Sequence, residues 1–199
     1  LYCFATFASA AKKTYVLENA RLSRTLVVEN GVLSTLQIRN KQAGTVLAPT
    51  ACNEFALRLS EGTDKEGTDR TLTAKDFAMR SFRKSVSGEV STYAFLLENK
   101  ELEIAVKVCY ELSPHWAYIR KYLEVTSQAP LVLEQVDVES MAVADACQNY
   151  RLKQITTRKS GGWKPGFGQP VYTTQTATFW GMEFPAASNT VADGLLSCG

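Results

Sequence analysis

Three carboxylates of this chain have the chemistry for acid–base work. Asp137 and Glu139 are two positions apart in an apolar stretch, so a strand there would project both side chains from one face, about 7 Å apart. Glu183 lies beside aromatic residues. Two carboxylates about 5 to 10 Å apart suit glycoside hydrolysis. The alternative is that Asp137 and Glu139 occupy a solvated sheet face, or form a salt bridge with Arg120 or Lys121.

A second group of candidates lies between Gly161 and Pro185, where glycine, proline and aromatic residues are concentrated. Glycine and proline make the backbone turn tightly, and loops of this kind on a rigid scaffold often carry binding sites. Aromatic rings stack on the apolar faces of sugars, while amides and carboxylates bond sugar hydroxyls. We therefore predict carbohydrate binding, or contact with a further domain, at Trp163, Phe167, Gln169, Trp180 and Glu183. The alternative is that the aromatic residues fill the core at the end of a sandwich.

Other catalytic and cofactor chemistries lack their residues. His115 is the single histidine and the five cysteines show no Cys-x-x-Cys spacing, so we expect no zinc site. The sequence has no Gly-x-Ser-x-Gly elbow, and the glycines at 161–168 lack the Gly-Lys-Ser/Thr end that phosphate binding requires. Ser60 to Thr71 is predicted to be a solvated loop without the spacing of a calcium site. We predict no catalytic residue, no metal and no cofactor in this chain.

Composition places the chain among ordinary globular proteins. It has 199 residues, of which 45% are hydrophobic and 21% are charged, and its formal net charge is +2. This length is sufficient for a β domain with a sizeable core. Because the lysines and arginines are scattered and form no basic stripe, we expect no nucleic-acid partner.

The first ten residues resemble the end of a secretory signal peptide. Leu1 to Ala10 is an apolar run that ends in Ala8-Ser9-Ala10, a sequence typical of a cleavage site. This interpretation predicts a secreted or periplasmic protein in which residues 11–199 are a single domain; the alternative is an apolar first strand. Without Cys3, four cysteines remain, which permits two disulfides but does not require them. No segment approaches the ~20 apolar residues that span a membrane.

The clearest secondary-structure signals are those of β-strands. A hairpin is indicated from Arg21 to Ile38, because Asn30-Gly31 separates two apolar runs and both residues accept a positive φ. Leu102 to Leu112 alternates apolar and polar residues, a period that only a half-buried strand explains. We predict a central strand there with a buried apolar face that includes Ile104, Val106 and Val108.

Further strands complete an all-β prediction. Apolar alternation indicates strands at Phe55 to Leu59, Asp76 to Phe82, Trp116 to Thr126 and Leu131 to Glu139. No segment sustains a helical period beyond about two turns. Strands at this spacing with polar turns between them predict the all-β class and an antiparallel β-sandwich.

The end of the chain resembles a known family. Gly168-Gln169-Pro170-Val171, followed by Phe179-Trp180-Gly181-Met182-Glu183-Phe184-Pro185-Ala186-Ala187, is similar to the end of the N-terminal β-domain in glycoside hydrolases of the α-galactosidase and raffinose-synthase group. Tyr110-Glu111-Leu112, Arg120 to Leu123 and Val136 to Glu139 fit the upstream pattern. The resemblance covers roughly Leu17 to Ala187, although only its last part is motif-like.

This resemblance implies the supersandwich that such enzymes share with galactose mutarotase-like proteins. Their chemistry belongs to a (β/α)8 barrel after the sandwich, where two carboxyl groups flank the glycosidic bond. The sequence ends at Gly199, before such a barrel. We therefore expect a non-catalytic sandwich from a secreted α-galactosidase-like hydrolase, inactive by itself, which supports the barrel and edges the sugar pocket. Its expected partners are an oligosaccharide or glycan substrate, the barrel of the same parent chain, and a second copy of the chain.

A stand-alone carbohydrate-binding module is the alternative from another class. The downstream reading frame of the parent gene distinguishes the two hypotheses. Several hundred further residues with Asp-bearing barrel strands support the hydrolase, whereas a stop codon near Gly199 supports the module.

Overall fold

The computed structural model describes residues 12–61, 68–144, 147–149, 170–183, 187–192 and 194–199. Regular structure within these ranges consists of β-strands and one 3₁₀ turn, Ala74–Asp76, with no α-helix. The strands are β1 Lys12–Glu18, β2 Leu22–Glu29, β3 Val32–Asn40, β4 Thr45–Leu47, β5 Ala51–Glu61, β6 Thr68–Thr73, β7 Ala78–Ser87, β8 Val90–Asn99, β9 Ile104–Leu112, β10 Arg120–Ser127, β11 Leu133–Ala142, β12 Cys147–Asn149, β13 Val171–Thr173, β14 Phe179–Trp180, β15 Asn189–Ala192 and β16 Leu195–Cys198. The all-β prediction is confirmed, and no helix in the described ranges is long and apolar enough to cross a membrane.

The strands form four sheets in which every pairing is antiparallel. The strand orders are β1-β2-β3-β4, β10-β9-β8-β7, β15-β16-β11-β5-β6 and β12-β13-β14. Most neighbours in a sheet are also neighbours in sequence, as in a chain of hairpins. The pairing of β11 with β5 is different, because it joins segments about eighty residues apart in the sequence. This pairing brings together side chains that are too far apart in sequence to meet within a hairpin.

The first predicted hairpin forms as expected. Asn30 has φ 54° and Gly31 has φ 80°, the positive values that a tight turn between two twisted strands requires. The carbonyl oxygen of Gly31 accepts a hydrogen bond of 2.7 Å from the backbone N–H of Met79 on β7. The turn therefore also ties the first sheet to the second.

The main core lies between the first sheet, the second sheet and β5–β6. Tyr15 on β1 contacts Phe95 on β8 edge to face, with ring centroids 5.0 Å apart. Phe55 contacts Phe77 in the same manner at 5.6 Å. β9 lies between β8 and β10 and buries alternate side chains completely, which confirms the predicted central strand: Ile104, Val106, Val108, Tyr110 and Leu112.

A second, smaller core lies between the first, third and fourth sheets. Its buried members are Leu47, Met141, Val143, Val171, Leu196 and Cys198. Trp180 and Met182 pack against it from the fourth sheet, and Cys52 does so from β5. Cys52, Cys109 and Cys198 are free thiols, and Cys109 behaves as the small buried apolar side chain that its strand predicts.

The prediction of a loop from Ser60 to Thr71 is wrong at both ends, where the structure has strands. β5 continues to Glu61 and β6 starts at Thr68, with Ser60 paired to Asp69. The strands extend here because backbone pairing between two adjacent strands does not require apolar side chains. Residues 62–67 lie outside the described ranges.

Several other strands begin later than predicted. The strand expected from Asp76 begins at Ala78, because Ala74–Asp76 forms a 3₁₀ turn in which the Asp76 carboxylate accepts a bond of 2.7 Å from the Thr73 N–H. The strand expected from Trp116 begins at Arg120, and the preceding residues form an irregular segment. The strand expected at 131–139 is β11, which runs from 133 to 142.

Candidate functional site

An open pocket of about 300 Å³ lies where the two cores meet. Two short segments contribute walls: residues 117–119, which precede β10, and residues 177–182, which include β14. The ends of β2 and β3 form a further side, and β10, β11 and β16 contribute its floor. The lining residues are Arg21, Leu22, Arg24, Ile38, Arg39, Asn40, Gln42, Ala117, Tyr118, Ile119, Lys121, Val138, Glu139, Ala177, Thr178, Phe179, Trp180, Gly181, Met182 and Cys198.

Side chains from the first sheet and its β1–β2 turn fix both walls. The Asn19 amide nitrogen donates to the carbonyl oxygens of Ser113 and Trp116, at 2.8 Å each, and so holds the start of the first wall. On the other side, Asn40 donates to the carbonyl oxygen of Ala177 at 3.2 Å, and Thr45 donates to that of Thr176 at 2.6 Å. Apart from the two residues of β14, the walls are irregular in conformation, yet both are attached to regular strands.

Three aromatic residues present their rings at the walls. Phe179 is 71% exposed and Tyr118 is 47% exposed, whereas Trp180 is half-buried and its indole N–H donates to the Thr178 hydroxyl at 3.1 Å. Tyr118 is stacked on Trp116, with ring centroids 4.7 Å apart and an interplanar angle of 12°. Exposed aromatic side chains at a pocket offer flat apolar area to a ligand.

A cluster of four buried charges lies under the pocket: Arg24, Glu54, Lys121 and Glu139. Arg24 forms a two-bond pair with Glu139, at 2.6 and 3.0 Å, and its Nη2 also donates to Glu54 at 2.9 Å. The Lys121 ammonium donates to one carboxylate oxygen of Glu54 and one of Glu139, both at 3.0 Å, and to the Glu54 carbonyl oxygen at 2.6 Å. Two cations and two carboxylates leave the charge cluster with no formal net charge.

Neutral side chains complete the hydrogen bonding of Glu54. The Tyr110 hydroxyl donates to this carboxylate, and the Thr35 hydroxyl donates to it at 2.9 Å. The Cys52 thiol lies 3.3 Å from the same group. Glu54 itself has φ 62°, a left-handed conformation that is uncommon for a residue with a Cβ, and it lies where the β5–β11 register shifts. The surrounding bonds hold the strand in this conformation.

These contacts set the ionisation of the charge cluster. Burial by itself raises the pKa of Glu54, but the charges of Lys121 and Arg24 outweigh it and hold this pKa well below its usual range. Burial, together with the Glu54 charge, raises the pKa of Tyr110 well above its ordinary value and that of Cys52 to about 12. Glu54 is therefore an anion at neutral pH, while Tyr110 and Cys52 keep their protons.

The pair Asp137 and Glu139, singled out in the sequence, is divided by the structure. Glu139 is buried in the charge cluster and bonds Lys121, which confirms the salt-bridge alternative for this residue. Asp137 is half-buried outside the charge cluster and accepts a bond of 2.7 Å from the Gln135 amide. The β5–β11 ladder shifts register between Asp137 and Ser140, so simple alternation does not describe this stretch.

The five predicted binding residues have different outcomes. Trp180 lines the pocket, and Glu183 follows the lining residues directly, with a side chain that is 77% exposed and 3.6 Å from Arg120. Trp163, Phe167 and Gln169 lie outside the described residues. The apolar N-terminal run also lies outside them, so the signal peptide stays a prediction.

Sequence reasoning missed the charge cluster, although two of its members carried a signal. Arg24 occupies an alternate position between Leu22 and Leu26, and Lys121 occupies one between Ile119 and Leu123. A cation on the apolar face of a strand is buried with the other residues of that face and must find a carboxylate there. Within the residues that the structure describes, there is no group of three side chains suited to hold a metal ion.

Comparison with known proteins leaves the chain without a family assignment. No family model, curated protein or solved structure matches it.

Proposed function

We propose that this chain is a non-catalytic β-sandwich that binds a carbohydrate in the open pocket. The observation that carries the proposal is that three aromatic residues, Tyr118, Phe179 and Trp180, line one pocket. A pocket of about 300 Å³ with mostly apolar walls and a few polar groups has the size and chemistry of a small-ligand site. A pyranose ring presents flat C–H faces to aromatic rings and hydroxyls to side chains such as Gln42.

The two buried carboxylates near the pocket, Glu54 and Glu139, are unsuited to glycoside hydrolysis. Glycoside hydrolysis needs one carboxyl group that is protonated near neutral pH, which requires a raised pKa. Glu54 has the opposite shift and is fully buried. Both oxygens of Glu139 accept bonds from Arg24, and one also accepts from Lys121. Each of these carboxylates already neutralises a cation, so neither is free to transfer a proton.

The sandwich is further proposed to come from a secreted glycoside hydrolase of the α-galactosidase type. This finer proposal is supported by the resemblance at Gly168–Val171 and Phe179–Ala187, and by the all-β sandwich that the resemblance implies. In that setting the exposed ring of Phe179 contacts the catalytic barrel or edges its sugar pocket. In the alternative, a stand-alone carbohydrate-binding module, the same ring contacts sugar alone.

A titration with galactosides tests the proposal. Methyl α-galactopyranoside and an α-galactoside trisaccharide are expected to bind the wild-type chain and to perturb NMR signals of Tyr118, Phe179 and Trp180. Phe179→Ala is expected to weaken binding about tenfold, the scale of a lost aromatic contact of about 1.4 kcal/mol. Val86→Ala, at a 64% exposed position on β7 outside the pocket, is the matched control and should leave binding unchanged.

Two results would contradict the proposal. Absence of binding to either galactoside and to a panel of other neutral glycans would remove the carbohydrate function. Hydrolysis of aryl galactosides that disappears in a folded Glu139→Gln variant would show that the chain is an enzyme.

A further inference from the structure

Arg120 and Glu183 connect the two walls of the pocket. Arg120 follows the lining residues 117–119 at the start of β10, and Glu183 follows the lining residues 179–182. The Arg120 Nη2 is 3.6 Å from the Glu183 Oε1. The two side chains thus form a contact between segments that are more than sixty residues apart in sequence and that each adjoin lining residues of the same pocket.

The same guanidinium is held from its own side of the pocket. Its Nη1 donates to Glu111 on β9 at 3.4 Å, and its centre lies 5.3 Å from the ring centroid of Trp116, which in turn stacks on Tyr118. The Glu183 charge is the main cause that raises the pKa of Arg120. Arg120 is therefore held by Glu111 and Trp116 and pairs with Glu183 at the end of the 177–182 wall.

We propose that Arg120 and Glu183 are positioning residues that hold the Phe179–Met182 wall against the Tyr118 wall, and so set the affinity of the pocket for an uncharged sugar. This inference rests on the proposed carbohydrate function. Neither side chain needs to contact the ligand, and neither lines the pocket. Glu183 thereby has a role different from the direct sugar contact that the sequence suggests.

The exposure of the pair gives the proposal a distinctive consequence. The Arg120 side chain is 42% exposed and that of Glu183 is 77% exposed, so dissolved salt screens their attraction. An uncharged sugar has no charge of its own to screen. Affinity for such a sugar is then expected to fall about two- to fivefold between about 0.01 M and about 1 M salt, over which the Debye length shortens from about 30 Å to about 3 Å.

The test compares Glu183→Gln with Glu111→Gln, since both substitutions remove one carboxylate partner of Arg120 and only Glu183 adjoins the 177–182 wall. Methyl α-galactopyranoside is titrated at low and high salt. Glu183→Gln is expected to bind about two- to fivefold more weakly at low salt and to lose the salt dependence. Glu111→Gln is expected to retain both the affinity and the salt dependence of the wild type. Arg120→Lys, which keeps a cation near Glu183, is expected to recover part of the affinity that Arg120→Gln loses.

Amide hydrogen exchange at residues 178–183 provides a readout that needs no ligand. Faster exchange at these residues in Glu183→Gln, but not in Glu111→Gln, supports the proposal. This result supports it even if the wild type binds no galactoside. In that case only the carbohydrate function is contradicted. Equal exchange in the wild type and Glu183→Gln would overturn the proposal. So would sugar binding by Glu183→Gln that matches the wild type in strength and salt dependence.

Discussion

At the scale of single residues, the main feature is a set of paired charges in a protein interior. Arg24, Glu54, Lys121 and Glu139 are all nearly inaccessible to water, and each has at least two charged partners. Burying such groups costs free energy, which close pairing and hydrogen bonds offset. The pairing gives little net stabilisation relative to apolar side chains, but the loss of a single partner leaves an uncompensated charge.

Substitution of Glu139 tests this argument. Glu139→Gln keeps the shape of the side chain, removes its charge and leaves Arg24 and Lys121 with Glu54 as their one carboxylate partner. The free energy of unfolding is expected to fall by about 3 to 5 kcal/mol, measured by urea denaturation.

The matched control for this change is Glu98→Gln. Glu98 pairs with Arg80 at 2.6 Å, and both side chains are 38% exposed. Removal of such a surface pair is expected to cost about 0 to 1 kcal/mol. If the two substitutions lower the free energy of unfolding equally, burial does not determine how much the charge cluster contributes to stability.

At the scale of elements, turn residues explain the hairpin of β2 and β3, and alternation explains β9. The positive φ values of Asn30 and Gly31 close the first hairpin, and β9 buries every second side chain because it has a strand on each side and a sheet against one face. The 117–119 and 177–182 segments differ, since bonds from Asn19, Asn40 and Thr45 fix them. Strand formation is thus locally encoded, whereas the pocket walls depend on tertiary contacts.

A large-to-small change in β9 measures the core that the alternation predicts. Val106 is fully buried in the main core, so Val106→Ala is expected to lower the free energy of unfolding by about 1 to 3 kcal/mol in urea denaturation. Val86→Ala removes the same two methyl groups at a 64% exposed position, and its expected effect is within about 0.5 kcal/mol of zero. A cost at Val106 no larger than that at Val86 would contradict the central position of β9.

At the scale of the whole molecule, the charge cluster links three of the four sheets. Arg24 belongs to the first sheet, Lys121 to the second, and Glu54 and Glu139 to the third. The pocket opens above this junction. The ionisation of the cluster is consequently coupled to the stability of the complete fold.

This coupling predicts the dependence of stability on acid pH. The pKa of Glu54 in the folded protein lies well below its usual value of 4.5, so between these two pKa values the unfolded chain binds more protons than the folded one. The stabilisation from ionised Glu54 is complete above the unfolded pKa and is lost as the pH falls through the folded pKa. The free energy of unfolding is therefore expected to decrease steadily as the pH is lowered below about 4.5.

Two measurements separate Glu54 from the other carboxylates. Urea denaturation at a series of acid pH values gives the overall slope, and ¹³C NMR of the glutamate carboxyl carbons gives the protonation of individual groups. The Glu54 signal is expected to remain that of the carboxylate at pH values where exposed glutamates are half protonated. Titration of Glu54 near pH 4.5 would contradict its pairing with Arg24 and Lys121.

The sequence by itself indicated β2, β3, β5, β7, β9, β10 and β11 and the buried face of β9, but it did not indicate β1, β4, β6 or β12 to β16. Asn30-Gly31 placed the first turn, and the alternation from Ile104 to Leu112 identified a central strand, because turn chemistry and side-chain period are properties of neighbouring residues. The sequence also identified Trp180 as a candidate binding residue, and this residue lines the pocket. The sequence placed the starts of β7 and β10 less accurately and assigned the start of β6 to a loop, because pairing with an adjacent strand and capping bonds decide where a strand starts.

Only the tertiary structure decided which distant side chains meet. Arg24 and Glu139 are 115 residues apart, and Tyr110 and Glu54 are 56 apart. Alternation indicates which face of its strand a residue occupies, but it does not indicate which strand lies opposite. That depends on the order of strands in each sheet and on the way the sheets pack. The pairing of β11 with β5 and the approach of β10 bring two carboxylates to one lysine. With Arg24 on β2, single charges from four strands thereby form one cluster with no formal net charge beside the pocket.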